Sequence, residues 1–326
     1  MLTLAVLDSS YGDIALESAA AAEHDIAVVD ARLTSVSADG VLVQYATIGS
    51  AELDANPSWR VIGRYGVGVD TIDLDAAAAR GISVVNVPDY CEEEVATHAA
   101  ALILGSVRRI READLLVRSG QWSDWSELRP IGALSTATLA LIGVGRIGRE
   151  VIRLMAPFFG RIVAYDPFAE AVDGAELVSF DDSIAMGDVI SLHCPLTETT
   201  RHIIDAAALE RMSPGAHIVN VSRGGLIDSE ALVAALTESR IAGAALDVLE
   251  SEPPHGDPLL TAPRVTLTNH IAWYSEQSEH RLRRLIAARC ASVLVGLGAP
   301  TIVNRAALLA HESAGTFVRP RPETRT

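Results

Sequence analysis

The 326-residue chain carries 42 acidic against 26 basic residues, a formal net charge of −16, and has no basic stripe to neutralise phosphates, which excludes nucleic acid as a direct partner. Every one of the 26 basic residues is arginine; without lysine there is no Schiff-base chemistry, no pyridoxal phosphate anchor and no GK[ST] phosphate loop. The length suits two domains, each with its own core.

From the N-terminus, short apolar runs alternate with alanine-rich helical ones. Residues 2–7 read as a strand, 14–22 as a helix, and 26–29, 40–45 and 61–64 as strands. The opening MLTLAVLDSS lacks a basic region ahead of a long apolar one and so reads as a first strand rather than a leader. Residues 31–39 are short for a full crossover helix. The alternation implies βαβ units and a parallel sheet.

The strand 59–64 runs into YGVGVD, where Gly66 and Gly68 leave backbone N–H groups either to hold a small anion or simply to turn the chain. After the strand 82–87 a single long helix is expected over 92–118. Glu92, Glu93 and Glu94 crowd its first turn and Arg108, Arg109, Arg111 and Arg118 its last turns, with an apolar stripe at helical spacing between them. The stretch 119–133, with Trp122 and Trp125, reads as a loop.

The chain is organised around ALIGVGRIGREV. The strand 138–142 leads into Gly143, Gly145 and Gly148 in GxGxxG spacing: one for a tight turn, one for backbone approach to a pyrophosphate, one for helix–strand packing. The helix that follows offers unpaired N–H groups and partial positive charge to phosphates. The next strand, 161–165, ends in Asp166, 18 residues after Gly148, where a carboxylate can accept from both ribose hydroxyls.

Further strands are expected at 188–193, 217–221, 243–246 and 265–268, with helices at 229–236 and 275–295, an edge element at 301–303 and an aperiodic tail at 318–326. Asp166, His193, Arg223, Asp247 and His270 all fall at strand ends, where an open parallel sheet binds its ligands. His270 is the acid/base candidate, since imidazole titrates near working pH, although a histidine at such a position also serves structure. Glu252, in LDVLESEPP, can orient that imidazole and favour its protonated form; Glu250 reads as a solvated neighbour. Arg223, ahead of Gly224 and Gly225, can grip a carboxylate bidentately. Asp247 suits either a nicotinamide amide or a cap for the next segment. His193 and Cys194 suit the adenosine side, and Cys194 lacks a base to make it a nucleophile. Cys91, Cys194 and Cys290 form no CxxC pair, so neither metal nor disulfide framework is expected and a reduced, cytoplasmic setting fits. No apolar run nears the roughly 18 residues needed to cross a bilayer, so no membrane partner is expected.

Taken in order, RYGVGVDTIDL, GVGRIG, YDP, HCPLTETTRHII, NVSRGGLID, ALDVLESEPP and NHIAW resemble the D-2-hydroxyacid dehydrogenases over most of the chain. The resemblance implies an α/β architecture of two Rossmann-like or flavodoxin-like parallel-sheet domains: a discontinuous substrate domain of residues 1–97 and 297–326, and an NAD-binding domain of 98–296. It also implies a cleft between them and a homodimer through the central domain. It assigns Arg223 to the substrate carboxylate, His270 to acid/base work with Glu252 as its partner, and the backbone around Val67 and Gly68 to the carboxylate. Arg146 and Ile147 would meet the pyrophosphate, Asp166 the ribose and Asp247 the nicotinamide amide; Cys194 and Ser222 join the cofactor contacts.

Formate dehydrogenases share the arginine but differ at the position of Glu252. Within the family, NVPDYCEEEVATHA and HIAWYSEQ are similar to the C-terminal binding protein branch, which puts Trp273 beside the substrate side chain. Asn269 departs from the usual proline. The expected activity is NAD-dependent interconversion of a small 2-oxo acid and its D-2-hydroxy acid. Asp166 with no adjacent arginine favours NAD over NADP. The rival expectation is an NAD(H)-sensing, corepressor-like interaction protein.

Overall fold

Runs of Val, Ile, Leu and Ala buried on both faces form two parallel sheets. The structure, a computed structural model, describes residues 1–32, 37–122 and 125–314. It divides into two compact units, one of Met1–Cys91 with the chain from Ser275 onward, the other of Glu92–Tyr274.

The first unit opens with β1 (Thr3–Val6), α1 (Ala15–Ala22), β2 (Ala27–Asp30), β3 (Gly40–Val43), α2 (Ser50–Ala55), β4 (Val61–Arg64), α3 (Leu74–Ala79) and β5 (Ser83–Val85). Its strands lie in the order β2-β1-β3-β4-β5, the flavodoxin-like arrangement, with Leu4 in register with both Val28 and Gly40.

The second unit comprises α4 (Glu92–Val107), α5 (Ile110–Arg118), β6 (Thr138–Ile142), α6 (Arg146–Met155), β7 (Arg161–Tyr165), β8 (Glu176–Leu177), α7 (Phe180–Met186), β9 (Val189–Leu192), α8 (Ala206–Arg211), β10 (His217–Asn220), α9 (Ser229–Thr237), β11 (Gly243–Leu246) and β12 (Val265–Leu267). The strand order β12-β11-β10-β9-β6-β7-β8 is that of a doubly wound dinucleotide-binding sheet, and the chain reverses direction between β6 and β9. Ligands of such sheets lie beyond the strands' carboxyl ends at that switch point. Ser179, Asp205 and Asp228 cap α7, α8 and α9 by accepting first-turn N–H groups, which fixes where each helix starts.

The chain then returns to the first unit with α10 (Glu276–Leu294) and α11 (Arg305–Ser313). Arg283 of α10 is buried and joins α1 through Glu17, with its Nε 2.8 Å from Glu17 Oε1. Ile302 pairs antiparallel with Val85, so the short element expected near 301–303 closes the sheet edge.

Two sequence expectations differ. The helix expected over 92–118 is two, broken at Arg109, whose φ of +50° puts it in the left-handed region. The apolar spacing carries on past the break, but α5 has no buried residue and leaves Ile110, Leu115 and Val117 exposed. The units divide at 91/92 and 274/275, where the sequence suggested 97/98 and 296/297, because α10 packs with α1 and β4 of the terminal unit. The short connection at 31–39 lies partly, and the tail 318–326 wholly, outside the described residues.

Candidate active site

The glycine turn is set by close packing at the carboxyl end of β6. Gly143 has a φ of +97°, and a Cβ there would meet the Cys194 backbone N at 2.6 Å. A Cβ on Gly148 would lie 2.4 Å from the Gly143 carbonyl oxygen, so α6 can approach the turn only without a side chain. At Gly145, the N-cap of α6, a Cβ would meet nothing within 4 Å, and no side chain caps the helix. Open space thus faces the helix terminus that carries Arg146 and Ile147, as a pyrophosphate requires. Arg146 Nη1 lies 3.1 Å from Glu92 Oε1.

Asp166 follows β7 and holds this turn: its Oδ2 accepts the Val144 N–H at 2.9 Å and its Oδ1 the Phe168 N–H at 2.9 Å. Across the switch point, His193 and Cys194 follow β9. His193 Nε2 bonds Ser191 Oγ at 2.8 Å, while its Nδ1 is buried with no partner among the described residues. Burial pushes His193 down to about 4 and the Cys194 thiol up to about 11, so neither a charged imidazole nor a thiolate forms there at neutral pH. Ser222 Oγ donates to the Cys194 carbonyl at 2.6 Å, tying the loops after β9 and β10 together. Open glycine backbone, an uncapped helix terminus, the Asp166 carboxylate at the end of the next strand and a buried nitrogen orphaned among the described residues fit a dinucleotide.

Adjacent strands β10, β11 and β12 deliver Arg223, Asp247 and His270 at their carboxyl ends. His270 has a φ of +56°, a costly conformation for a side-chain-bearing residue. Asp247 enforces it: its backbone carbonyl accepts the His270 N–H at 2.8 Å, Oδ1 accepts the Ile271 N–H and the Thr268 hydroxyl, and Oδ2 accepts the Ala272 N–H. Of the two readings of Asp247, capping of the next segment matches these bonds. His98 Nε2 also bonds Thr268 Oγ1, at 3.1 Å.

His270 Nδ1 lies 2.6 Å from Glu252 Oε2, and Glu252 Oε1 accepts the Leu249 N–H at 3.0 Å. Burial alone would raise the Glu252 carboxyl; its bond to His270, the charge of that imidazole, the Leu249 N–H and nearby Arg223 outweigh burial and hold it below the usual carboxylate range. Arg223 Nη1 donates to the Ser222 carbonyl at 2.7 Å. A Cβ on Gly224 would lie 1.9 Å from the Leu249 carbonyl carbon, so the loop carrying Arg223 and the segment carrying Glu252 touch through bare backbone.

Sequence reasoning missed Asn220, Thr268 and His98. Asn220 is fully buried; its Oδ1 accepts the Ser222 N–H and its Nδ2 donates to the Arg223 carbonyl, so it shapes the arginine loop. An amide ending an otherwise apolar strand just before SRGG is the signal that was available. Glu250, read as solvated, accepts from His202 Nε2 at 2.7 Å. Trp273 stacks edge-on against Tyr274 at 5.5 Å between ring centroids. Val67 and Gly68 belong to the other unit, where the Val67 carbonyl accepts from Asn86 Nδ2 at 2.6 Å. Among the described residues, no cluster suits a metal ion, all three cysteines are free and buried, and no helix is long and apolar enough to cross a membrane.

Residues 100–272 match the family model for the D-isomer specific 2-hydroxyacid dehydrogenase NAD-binding domain. The chain is 39% identical over 274 residues to a D-3-phosphoglycerate dehydrogenase of Mycobacterium leprae, covering 82% of this chain and 51% of that one, so it spans about half the length of these relatives. It is 38% identical over 262 residues to a glyoxylate reductase of Thermococcus litoralis, covering 78% of this chain and 79% of that protein. The crystal structure of the TT0316 protein from Thermus thermophilus superposes with a TM-score of 0.82 at 31% identity, over 93% of this chain and 100% of that one. The sheet order, the glycine turn and these matches together make the central unit an NAD-binding domain, and the chain belongs to the D-isomer-specific 2-hydroxyacid dehydrogenase family.

Proposed function

We propose that the chain is an NAD(H)-dependent oxidoreductase that interconverts a small 2-oxo acid and its D-2-hydroxy acid. The observation that carries this reading is the His270–Glu252 pair, 2.6 Å apart, with Arg223 on the neighbouring loop. Bound nicotinamide supplies or accepts the hydride. With Nδ1 engaged by Glu252, the other ring nitrogen of His270 is left to hold the proton that the carbonyl oxygen takes on reduction and to receive it back on oxidation. Arg223 grips the substrate carboxylate through its planar fork, which fixes the carbonyl relative to His270. Val67 and Gly68 are proposed, on the resemblance, to help hold that carboxylate, and Trp273 to border the substrate side chain.

The carboxylate of Asp166 beside the glycine turn favours NAD over NADP, because a 2′-phosphate would meet a negative charge. A homodimer through the central unit is proposed on the exposed Ile110, Leu115 and Val117 of α5, and sedimentation of the intact protein tests it. The functional reading is tested by steady-state NADH oxidation with a panel of 2-oxo acids. Saturable turnover with at least one supports it. Tight NADH binding with no turnover on any would replace it with the sensing role.

A further inference from the structure

His98 stands on the second turn of α4, a helix that packs against β9, β10 and β11. The proposed mechanism gives this histidine no task. Yet its imidazole lies against the two residues that hold the turn beneath His270: Nε2 is 3.1 Å from Thr268 Oγ1 and 3.6 Å from Asp247 Oδ1. His98, Asp247, Glu252, Thr268 and His270 all belong to the central unit.

The direction of each hydrogen bond follows from what the groups can donate. The buried Asp247 carboxylate only accepts: Oδ1 takes the Ile271 N–H at 3.0 Å and the Thr268 hydroxyl, and Oδ2 takes the Ala272 N–H at 2.9 Å. Thr268 has one hydroxyl hydrogen, and its bond to Asp247 uses it. What Thr268 Oγ1 still offers His98 is a lone pair, so the hydrogen in that second contact sits on His98 Nε2. The chain therefore runs one way, from the His98 N–H through the Thr268 hydroxyl to Asp247. Asp247 in turn gathers the backbone N–H groups of the two residues that follow His270.

A buried carboxylate without a counter-charge is expensive. Among the described residues, His98 is the one basic side chain found within ion-pair distance of Asp247. The backbone needs that support, because His270 holds a φ of +56° and the Asn269 side chain before it is exposed and packs against nothing that would set the turn. Both Thr268 and Asp247 lie just past strand ends. The bond from His98 ties them to a helix seated by buried Val95, Ala96, Ala99, Leu102 and Ile103, and side chains referenced to such an element are held more closely than those referenced to a loop.

We infer that His98 is a positioning residue for His270, acting through Thr268 and Asp247. It touches neither substrate nor cofactor in this role. Its kinetic consequence rests on the oxidoreductase reading above; the hydrogen-bond chain itself does not. Loss of the His98 donor loosens the turn that aims the imidazole, so the damage falls on the step in which the proton moves and spares the binding of oxo acid and NADH.

The test compares wild type with His98→Leu, which fills the space without a donor, and His98→Gln, which returns an N–H near the place of Nε2. In steady-state reduction of a 2-oxo acid that wild type turns over, His98→Leu lowers kcat about tenfold, the worth of one hydrogen bond, with KM for the oxo acid and NADH affinity unchanged. His98→Gln recovers most of the loss. Thr268→Val also lowers kcat, and the double variant His98→Leu/Thr268→Val is no slower than Thr268→Val alone, because both act along one chain. Histidine-selective ¹⁵N NMR of the intact proteins needs no turnover: His98 Nε2 resonates as a protonated nitrogen, and the His270 ring signal, sharp in wild type and His98→Gln, broadens in His98→Leu. A wild type that reduces no 2-oxo acid removes the functional reading and leaves the NMR comparison to decide the role of His98. An unprotonated His98 Nε2, a His270 signal indifferent to His98→Leu, full kcat in His98→Leu, equal losses in His98→Leu and His98→Gln, or additive losses in the double variant overturns the proposal.

Discussion

His270 Nδ1 and Glu252 Oε2 stand 2.6 Å apart, although the two residues come from different segments, one after β12 and the other from the loop after β11. The imidazole is fixed from two sides: Glu252 holds the ring and Asp247 holds the left-handed backbone beneath it. A ring so held presents one nitrogen in a constant direction, as proton transfer to a positioned carbonyl demands.

Glu252→Gln keeps a hydrogen bond to the ring but removes the charge it faces. The loss of one charge-assisted bond, worth about 1.5–3 kcal/mol, lowers kcat/KM for 2-oxo acid reduction roughly ten- to a hundredfold. NADH affinity, measured by fluorescence quenching, is unchanged. The amide has a single acceptor oxygen, so holding the ring N–H gives up the Leu249 N–H, and denaturant unfolding should read a small accompanying loss of stability.

Asp166 holds the glycine turn and, on the function proposed above, faces the ribose of the cofactor; Asp166→Asn separates the two. The amide oxygen can still accept the Val144 N–H that closes the glycine turn, while the charge facing a 2′-phosphate is gone. Steady-state kinetics with both cofactors should show kcat/KM for NADPH rising roughly tenfold, about 1.4 kcal/mol, with a smaller loss for NADH.

Gly224→Ala places a methyl against the Leu249 backbone, 1.9 Å from its carbonyl carbon, where no side-chain rotation relieves the overlap. Backbone must move, at about 1–3 kcal/mol of stability, and the displaced segment carries Glu252. Denaturant unfolding together with turnover checks this: both fall in Gly224→Ala, whereas Gly132→Ala, which meets nothing within 4 Å, changes neither.

His193 and His217 predict the acid limb of stability. Burial, aided at His217 by the charge of Arg109, pushes each down to about 4 from 6.5. Between those values the unfolded chain binds protons that the folded chain does not, so unfolding free energy falls as pH drops from about 6.5 toward 4, by at most roughly 3 kcal/mol per histidine. Urea unfolding at a series of pH values checks it. His217→Gln flattens the slope across that window and leaves stability above pH 7 without added pH dependence.

Much of the architecture was legible because strands buried on both faces read as uninterrupted apolar runs: 61–64, 138–142, 161–165 and 243–246 begin and end where the sequence places them. The glycine turn was legible because steric demands at Gly143 and Gly148 leave no other residue type. The break at Arg109 was not, since the apolar spacing continues through Ile110 and only the backbone dihedral marks the corner. Nor was the allegiance of α10, whose pattern shows that one face is buried but not against which sheet. Asp247 was seen as a strand-end carboxylate; that it fixes the left-handed turn under His270 depends on N–H groups whose directions no side-chain pattern records.

The central claim, that His270 supplies the proton for reduction of a 2-oxo acid by NADH, is tested most directly by single-turnover stopped flow. NADH absorbance is followed in wild type and in His270→Gln with a 2-oxo acid that wild type turns over. NADH consumption about 10²- to 10⁴-fold slower in the variant, at unchanged NADH affinity, is the predicted result. Consumption at a near wild-type rate would contradict the account.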